Sequence, residues 1–138
     1  MFKRLLRAQR CLVPADGYYE WKQTPFDKIP HWIRMADESP FFFAGLWNRW
    51  HEGDADGIPS FTILTTEANQ LIAPIHNRMP VIVRKEDDNL WRDTAMTDTT
   101  NLDHVMRPYD GGDMAAYPIS TRVNNVKNEG LELVRRDV

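Results

Sequence analysis

Short apolar runs separated by turn-forming residues predict that β-strands make up most of this chain. Short apolar and aromatic runs bounded by turn signals are typical of core strands. Asp16-Gly17 is a tight-turn signal between two runs, and residues 52–57 form a loop rich in Asp and Gly. The predicted strands cover residues 11–13, 18–22, 31–35, 41–50, 60–64, 81–83 and 117–120.

Helical spacing is restricted to short segments. Phe2, Leu5 and Leu6 share one face of a predicted helix over residues 2–9. Thr65-Thr66 offers an N-cap for a short helix from Glu67 to Ile72. Two acidic helices are predicted near residues 86–93 and 100–107. Because there are no repeats and no internal linker, we expect a single α+β domain over residues 1–138, dominated by antiparallel strands.

Composition narrows the class of protein. The 138 residues include 17 Lys and Arg against 20 Asp and Glu, and a single Cys. No stretch approaches the ~18 apolar residues that a membrane span needs, so we expect no membrane association. One cysteine excludes an internal disulfide and a Cys-rich zinc site, and we expect no metal or cofactor. The N-terminus lacks a secretory signal, which together with the lone thiol indicates the cytoplasm.

Charge is distributed unevenly along the sequence. Residues 1–10 carry four basic side chains and no acidic one, whereas residues 84–113 carry eight acidic side chains against four basic ones. Such asymmetry favours one face that meets an anionic partner, although scattered solvated charge would give the same count.

Glu20 is the first candidate for chemistry, because it interrupts an aromatic strand between Tyr19 and Trp21. Strand side chains alternate, so Glu20 shares a face with Tyr18 and Lys22. A carboxylate beside aromatic surface is partly desolvated, which suits a general acid or base. The alternative is a surface acid paired with Lys22.

His76 is the second candidate. It lies in a loop two residues before Arg78, and such a pair suits proton transfer and phosphate binding. The alternative is an exposed or structural histidine. Cys11 is predicted to be a small buried hydrophobe, with a Cys11–His76 nucleophile pair as the alternative. Most of the aromatic side chains fill the core in this interpretation, and some of them, with Arg34 and Arg49, could stack on unpaired bases.

Three sequence blocks resemble signatures of the SOS-response-associated peptidase (SRAP) family. The first runs from Arg10 to Trp21 (RCLVPADGYYEW). The second runs from Leu64 to Asn69 and from Ile75 to Val81, and the third from Val123 to Gly130. The resemblance implies an α+β fold in which mostly antiparallel strands form a barrel-like sheet with short peripheral helices. It also implies a role in the DNA damage response, in processing abasic sites in single-stranded DNA.

The resemblance implies a role for each matching residue. In the family, the amine and thiol of an N-terminal cysteine condense with the aldehyde of an abasic site to give a thiazolidine crosslink. The residue matching Glu20 assists proton transfer there, and the one matching His76 lies near the sugar hydroxyl. DNA contacts are expected from Arg78, Thr65, Arg4 and Trp21. The expected partner is single-stranded DNA, bound at the nucleoid during repair by a chain that is otherwise a monomer.

The first residues depart from the family pattern. Family members begin Met-Cys-Gly-Arg, whereas this chain begins Met1-Phe2-Lys3. We therefore expect the family's N-terminal part to be missing, crosslinking to be lost, and a complementary N-terminal fragment to be a candidate partner. Whether the chain is an enzyme stays open: lyase-type activity is the family's, and the catalytic cysteine is absent. One alternative is a non-catalytic single-stranded DNA-binding remnant. The other is a cysteine peptidase that uses Cys11 and His76.

Overall fold

Strands dominate the computed structural model, which describes residues 2–51 and 56–137. The strands are β1 (Arg10–Ala15), β2 (Gly17–Gln23), β3 (Lys28–Met35), β4 (Phe41–Trp50), β5 (Ile58–Ile63), β6 (Thr65–Glu67), β7 (Arg78–Pro80), β8 (Ile82–Val83) and β9 (Met114–Pro118). The helices are α1 (Phe2–Ala8) and α2 (Asp88–Arg92), with short 3₁₀ helices at Lys85–Asp87, Thr99–Leu102, Gly111–Asp113, Thr121–Asn124 and Leu131–Val134. The predicted α+β class with mostly antiparallel strands is confirmed.

Pairing among the described strands gives three sheets. One has the order β1-β4-β5, with β8 also paired to β4; the second has the order β2-β3-β9; the third is the pair β6-β7. The β2–β3, β3–β9, β4–β5 and β4–β8 pairs are antiparallel. Within the described residues, these pairings form separate sheets rather than one closed barrel.

Two compact units divide the chain, and each is assembled from three segments. The first unit comprises Met1–Pro14, Phe42–Thr66 and Pro80–Tyr109. The second comprises Ala15–Phe41, Glu67–Met79 and Asp110–Val138. Neither unit is continuous in sequence.

The core of the first unit lies between the β1-β4-β5 sheet and the helices. Ala44 and Leu46 of β4 pack in one cluster with Leu5 of α1 and Trp91 of α2. The absence of a side chain at Gly45 permits close packing: a Cβ there would lie 2.9 Å from the Cys11 sulfur. β1 therefore lies close against β4 at this point.

The second unit is built on the β2-β3-β9 sheet. Ile33 and Met35 of β3 are buried, as are Ile72, Met79 and Met114. The β2–β3 register places Glu20 opposite His31 and Gln23 opposite Lys28. This register determines which side chains of the two strands are neighbours across the hairpin.

Several local predictions differ from the structure. The helix predicted from Glu67 to Ile72 is wrong: Glu67 ends strand β6, and a turn follows. The Asn69 side chain accepts a hydrogen bond from the Ile72 N–H at 3.0 Å, so Asn69 and not Thr65 initiates this turn. A local N-cap pattern did not reveal that β7 pairs with β6.

Two further predictions concern turns and helices. The Asp16-Gly17 signal does not join hairpin partners, because β1 pairs with β4 and β2 with β3. The helix predicted near 100–107 is a 3₁₀ helix at Thr99–Leu102 followed by turns, whereas the one near 86–93 is confirmed as a 3₁₀ turn leading into α2. Residues 52–55 of the predicted 52–57 loop lie outside the described residues. No helix in the described part of the chain has the length and apolarity to cross a membrane.

Candidate functional site

Glu20 and His76, the two predicted catalytic residues, line the same pocket. The pocket has a volume of about 500 Å³, and all of its lining residues belong to the second unit. They are Glu20, Trp21, Gln23, Lys28 and His76, which we call the Glu20 pocket. Residues separated by more than fifty positions in sequence thus meet at one cavity.

Glu20 is half-buried on β2 and turned toward its own backbone. The Trp21 N–H donates a hydrogen bond to Glu20 Oε1 at 3.1 Å. Burial, with a smaller contribution from the Glu20 charge, raises the pKa of Tyr18, which agrees with the predicted shared face of these two residues. No ion pair joins Glu20 to Lys22 among the described residues. Glu20 thus lines the pocket while its carboxylate accepts this one backbone hydrogen bond among those described.

His76 is exposed, in the loop that connects β6 to β7. The Arg78 backbone N–H donates to His76 Nδ1 at 3.1 Å, and the Arg78 carbonyl oxygen lies 3.2 Å from the same nitrogen. A backbone N–H can only donate and a carbonyl oxygen can only accept, so the two contacts require opposite tautomers of the ring. We assign the shorter one, from the Arg78 N–H, as the hydrogen bond, which makes Nδ1 the acceptor and places the proton of the neutral ring on Nε2. Nε2 is thus the ring atom left for proton transfer to a bound molecule.

Trp21 also lines the pocket, and its ring is held in place. Its indole N–H donates to Asn124 Oδ1 at 2.8 Å, which fixes the ring. Tyr19 lies beside it, with ring centroids 6.2 Å apart, and Trp32 lies 5.0 Å from Tyr19 on the same side. Asn124 belongs to the third sequence block but was not predicted as a site residue.

Gln23 and Lys28 are the pocket residues that sequence reasoning missed. They face each other across the β2–β3 hairpin, at its closing pair. The available signal was the Thr24-Pro25-Phe26-Asp27 segment, a turn sequence between β2 and β3 that would have fixed this register.

The other predicted DNA contacts do not line the Glu20 pocket. Arg78 is exposed and adjoins it through the backbone contact to His76. Thr65 is exposed in β6 and Arg4 is exposed in α1, and both belong to the first unit. Their roles therefore stay predictions.

Cys11 lines a different pocket. This apolar groove of about 390 Å³ belongs to the first unit and includes Val13, Trp47 and Phe61. Burial raises the pKa of the Cys11 thiol, which disfavours the thiolate that a nucleophile requires. The described residues contain no cluster of three or more His, Cys, Asp or Glu side chains able to hold a metal ion.

Comparisons with known proteins agree with the three sequence blocks. A family model described as SOS response associated peptidase (SRAP) matches residues 1–126. Abasic site processing protein YoqW of Bacillus subtilis (strain 168) is 40% identical over 134 residues, which cover 96% of this chain and 60% of that protein. Abasic site processing protein HMCES of Gallus gallus is 32% identical over 149 aligned positions, covering 93% of this chain and 44% of that protein.

A solved structure supports the same relationship. The crystal structure of a protein from Bacteroides thetaiotaomicron superposes with a TM-score of 0.89 at 30% identity, covering 99% of this chain and 60% of that one. The chain thus spans about three fifths of the length of YoqW and of this structure. The family match over residues 1–126, together with these relatives, shows that the chain belongs to the SRAP family.

Proposed function

We propose that this chain takes part in processing abasic sites in DNA, and that the Glu20 pocket holds the baseless sugar. The observation that carries the proposal is the meeting of Glu20, Trp21 and His76 at one cavity. Its support also comes from relatives that are named abasic site processing proteins. The pocket is lined by a carboxylate residue and an imidazole residue, which suit a sugar that reacts by proton transfer.

The proposed chemistry starts with opening of the sugar ring. The closed abasic sugar is a hemiacetal: a proton leaves the C1′ hydroxyl, the C1′–O4′ bond breaks, and O4′ gains a proton. Glu20 accepts the first proton and His76 Nε2 donates the second. A positioned acid or base of this kind contributes typically about 10²–10⁴-fold to a rate. The product is an aldehyde at C1′ and a hydroxyl at C4′.

Single-stranded DNA is the proposed form of the substrate. Trp21 lines the pocket, and aromatic side chains of this kind stack on unpaired bases. Arg78, Thr65 and Arg4 are the proposed further contacts to the strand. A DNA substrate requires the compartment that holds the DNA, in keeping with the expected location at the nucleoid in the cytoplasm.

We further propose that these 138 residues alone do not form the thiazolidine crosslink. A thiazolidine needs an amine and a thiol on one residue, and the single cysteine, Cys11, has its nitrogen in a peptide bond. The raised pKa of its thiol also argues against a cysteine peptidase that uses Cys11 and His76. The test is incubation with abasic single-stranded DNA followed by a denaturing gel. A heat-stable adduct would overturn this proposal.

One functional domain over residues 1–138 stays part of the proposal, because the family model runs through segments of both compact units. We propose that it acts as a partial SRAP domain, a monomer on DNA unless a complementary N-terminal fragment completes it. Analytical ultracentrifugation with and without DNA measures the stoichiometry directly.

The main experiment compares two fluorescent single-stranded oligonucleotides. One contains a tetrahydrofuran spacer, a non-reacting abasic analogue, and the other has a base at that position. The chain should prefer the abasic strand, and His76→Gln and Trp21→Ala should lose most of that preference. Glu86→Gln, an exposed acid in the first unit, is the matched surface control. Equal affinity of the unmodified chain for both strands would contradict the proposal.

The second candidate is a single-stranded DNA-binding remnant without chemistry. Arg4 and Arg7 are exposed on α1, which favours sequence-independent phosphate contacts. This candidate predicts equal, strongly salt-dependent affinity for the two oligonucleotides. The same titration therefore separates it from abasic-site processing.

A further inference from the structure

The turn between β2 and β3 is braced by an unusual number of hydrogen bonds for a four-residue segment. The Thr24 N–H donates to the Asp27 carbonyl at 2.8 Å. Thr24 Oγ1 accepts from the N–H groups of Phe26 and Asp27 at 3.2 and 3.0 Å, and lies 2.6 Å from Asp27 Oδ1. Pro25 fixes one further backbone angle. The turn is therefore a rigid support.

This rigid turn presents Phe26 to solvent. The side chain is 96% exposed, the largest exposed fraction among the large apolar residues of the described chain. A turn of this kind accepts polar residues equally well, so the fold does not require a phenylalanine here. Single exposed aromatic residues are common on protein surfaces, so the place of Phe26 in the chain, beside the Glu20 pocket, is what points to a ligand.

The position of Phe26 relates it to the Glu20 pocket. Gln23 and Lys28 form the closing pair of the hairpin, and both line that pocket. Phe26 is three residues from Gln23 and two from Lys28, so its backbone lies in the short turn that joins two lining residues of the Glu20 pocket. Lys28 adds a positive charge to the lining of that pocket.

We propose that Phe26 stacks on the nucleobase next to the abasic sugar while Lys28 contacts the adjoining phosphate. This inference rests on the proposed function and names a further part of its substrate. An abasic position removes one stacking neighbour from the flanking base, and the exposed ring of Phe26 takes that place. Stacking of this kind is sequence-tolerant because every base has a π-face. The ammonium and phosphate charges attract each other.

The test measures the affinity of the non-reacting abasic strand for the chain and for Phe26→Ala. Loss of one base–aromatic stack should weaken binding about 5- to 100-fold. Phe26→Trp should bind as well as the unmodified chain or better. Phe61→Ala is the matched control: Phe61 is also exposed, at 61%, but lines the other groove. Thermal melting checks that Phe26→Ala folds normally, as expected for an exposed side chain.

A second strand identifies what Phe26 touches. In this strand, the nucleotides flanking the abasic analogue are also baseless spacers. The penalty of Phe26→Ala should disappear on it, because no base is left to stack. A penalty of equal size on both strands would overturn base stacking in favour of a backbone contact.

The outcomes separate the two proposals. If the unmodified chain prefers the abasic strand and Phe26→Ala binds equally well, stacking by Phe26 is wrong while the proposed function stands. If the unmodified chain shows no preference, both are wrong.

Discussion

Arg10 is buried, although it is one of four basic residues among the first ten. Its guanidinium donates hydrogen bonds to five backbone carbonyls, those of Leu6, Arg7, Trp91, Asp93 and Met96. It therefore joins the end of α1 to the segment that follows α2. Lys3, Arg4 and Arg7 are exposed and can form the expected basic face. Arg10 cannot contribute to it, because its side chain is buried in the first unit.

Replacing Arg10 should test this structural role. Arg10→Lys keeps the charge but has one nitrogen in place of the planar fork, so most of the five carbonyls lose their donor. We expect the free energy of unfolding to fall by about 3 kcal/mol, the scale of a lost charged hydrogen-bond set. Urea denaturation measures the change, with the exposed Arg7→Lys as control. A difference between the two variants below about 0.5 kcal/mol would contradict the role.

The orientation of the His76 ring is the second feature at the residue scale. The Arg78 N–H reaches Nδ1, so the neutral ring should be the Nε2–H tautomer. Nitrogen-15 chemical shifts distinguish a protonated from an unprotonated Nδ1. We expect Arg78→Ala to keep this tautomer, because the backbone donor stays. Arg78→Pro removes the donor at the first residue of β7, and retention of the same preference there would show that the contact does not set the tautomer.

Gly17 is the critical position at the scale of the β2–β3 hairpin. A Cβ at this residue would lie 2.5 Å from the Ile33 carbonyl oxygen and 2.5 Å from the Trp32 ring. The carbonyl is part of the sheet backbone and cannot move away without disturbing the register that places Glu20 and Lys28. The absence of a side chain at Gly17 is therefore needed both for the pairing of β2 with β3 and for the positions of the pocket residues.

Gly17→Ala should therefore lower both stability and site function. We expect a loss of about 1–3 kcal/mol in the free energy of unfolding, as for overpacking elsewhere, and a weaker preference for abasic DNA. Gly112→Ala is the matched control, since its nearest contact would be 3.3 Å away, on the Asp110 side chain. Equal melting temperatures of the two variants would refute the argument.

Strands were predicted well at this scale, and their partners were not. Short apolar and aromatic runs bounded by turn-forming residues located β2, β3 and β4. Pairing depends on residues distant in sequence, so the Asp16-Gly17 signal indicated a turn without showing that β1 and β2 enter different sheets. Lys28 was missed for the same reason: its place at the pocket follows from the register with Gln23. Glu20 and His76 were candidates from their sequence neighbours, and the family signatures strengthened both.

At the scale of the whole molecule, the two compact units explain why composition indicated one domain. Each unit takes three segments from different parts of the chain, so no linker separates them in sequence. A boundary of this kind has no compositional signal, because the chain passes between the units within strands and tight connections. Length and charge exclude some classes of protein. Only the contacts between residues distant in sequence show that this chain forms two compact units.

Alkaline pH should destabilise the folded chain. Burial raises the pKa of Tyr18 above its ordinary value of 10.0 and that of Cys11 above 9.0. A raised folded pKa means that the folded state holds the proton more tightly than the unfolded one. The resulting stabilisation is complete below the unfolded pKa and is lost as pH rises through it toward the folded pKa. We expect the free energy of unfolding to fall from about pH 9 upward, and more steeply above pH 10.

Two variants test whether Tyr18 and Cys11 cause the fall in the free energy of unfolding at alkaline pH. Tyr18→Phe removes the phenol and should flatten the fall above pH 10, where one titrating group contributes up to about 1.4 kcal/mol per pH unit. Cys11→Ala should flatten only the part that begins near pH 9. The readout is the slope from urea denaturation at successive pH values, so a constant change in stability from lost packing does not affect it. An unchanged slope above pH 10 in Tyr18→Phe would show that the buried phenol is not responsible, and other groups would then carry the alkaline loss.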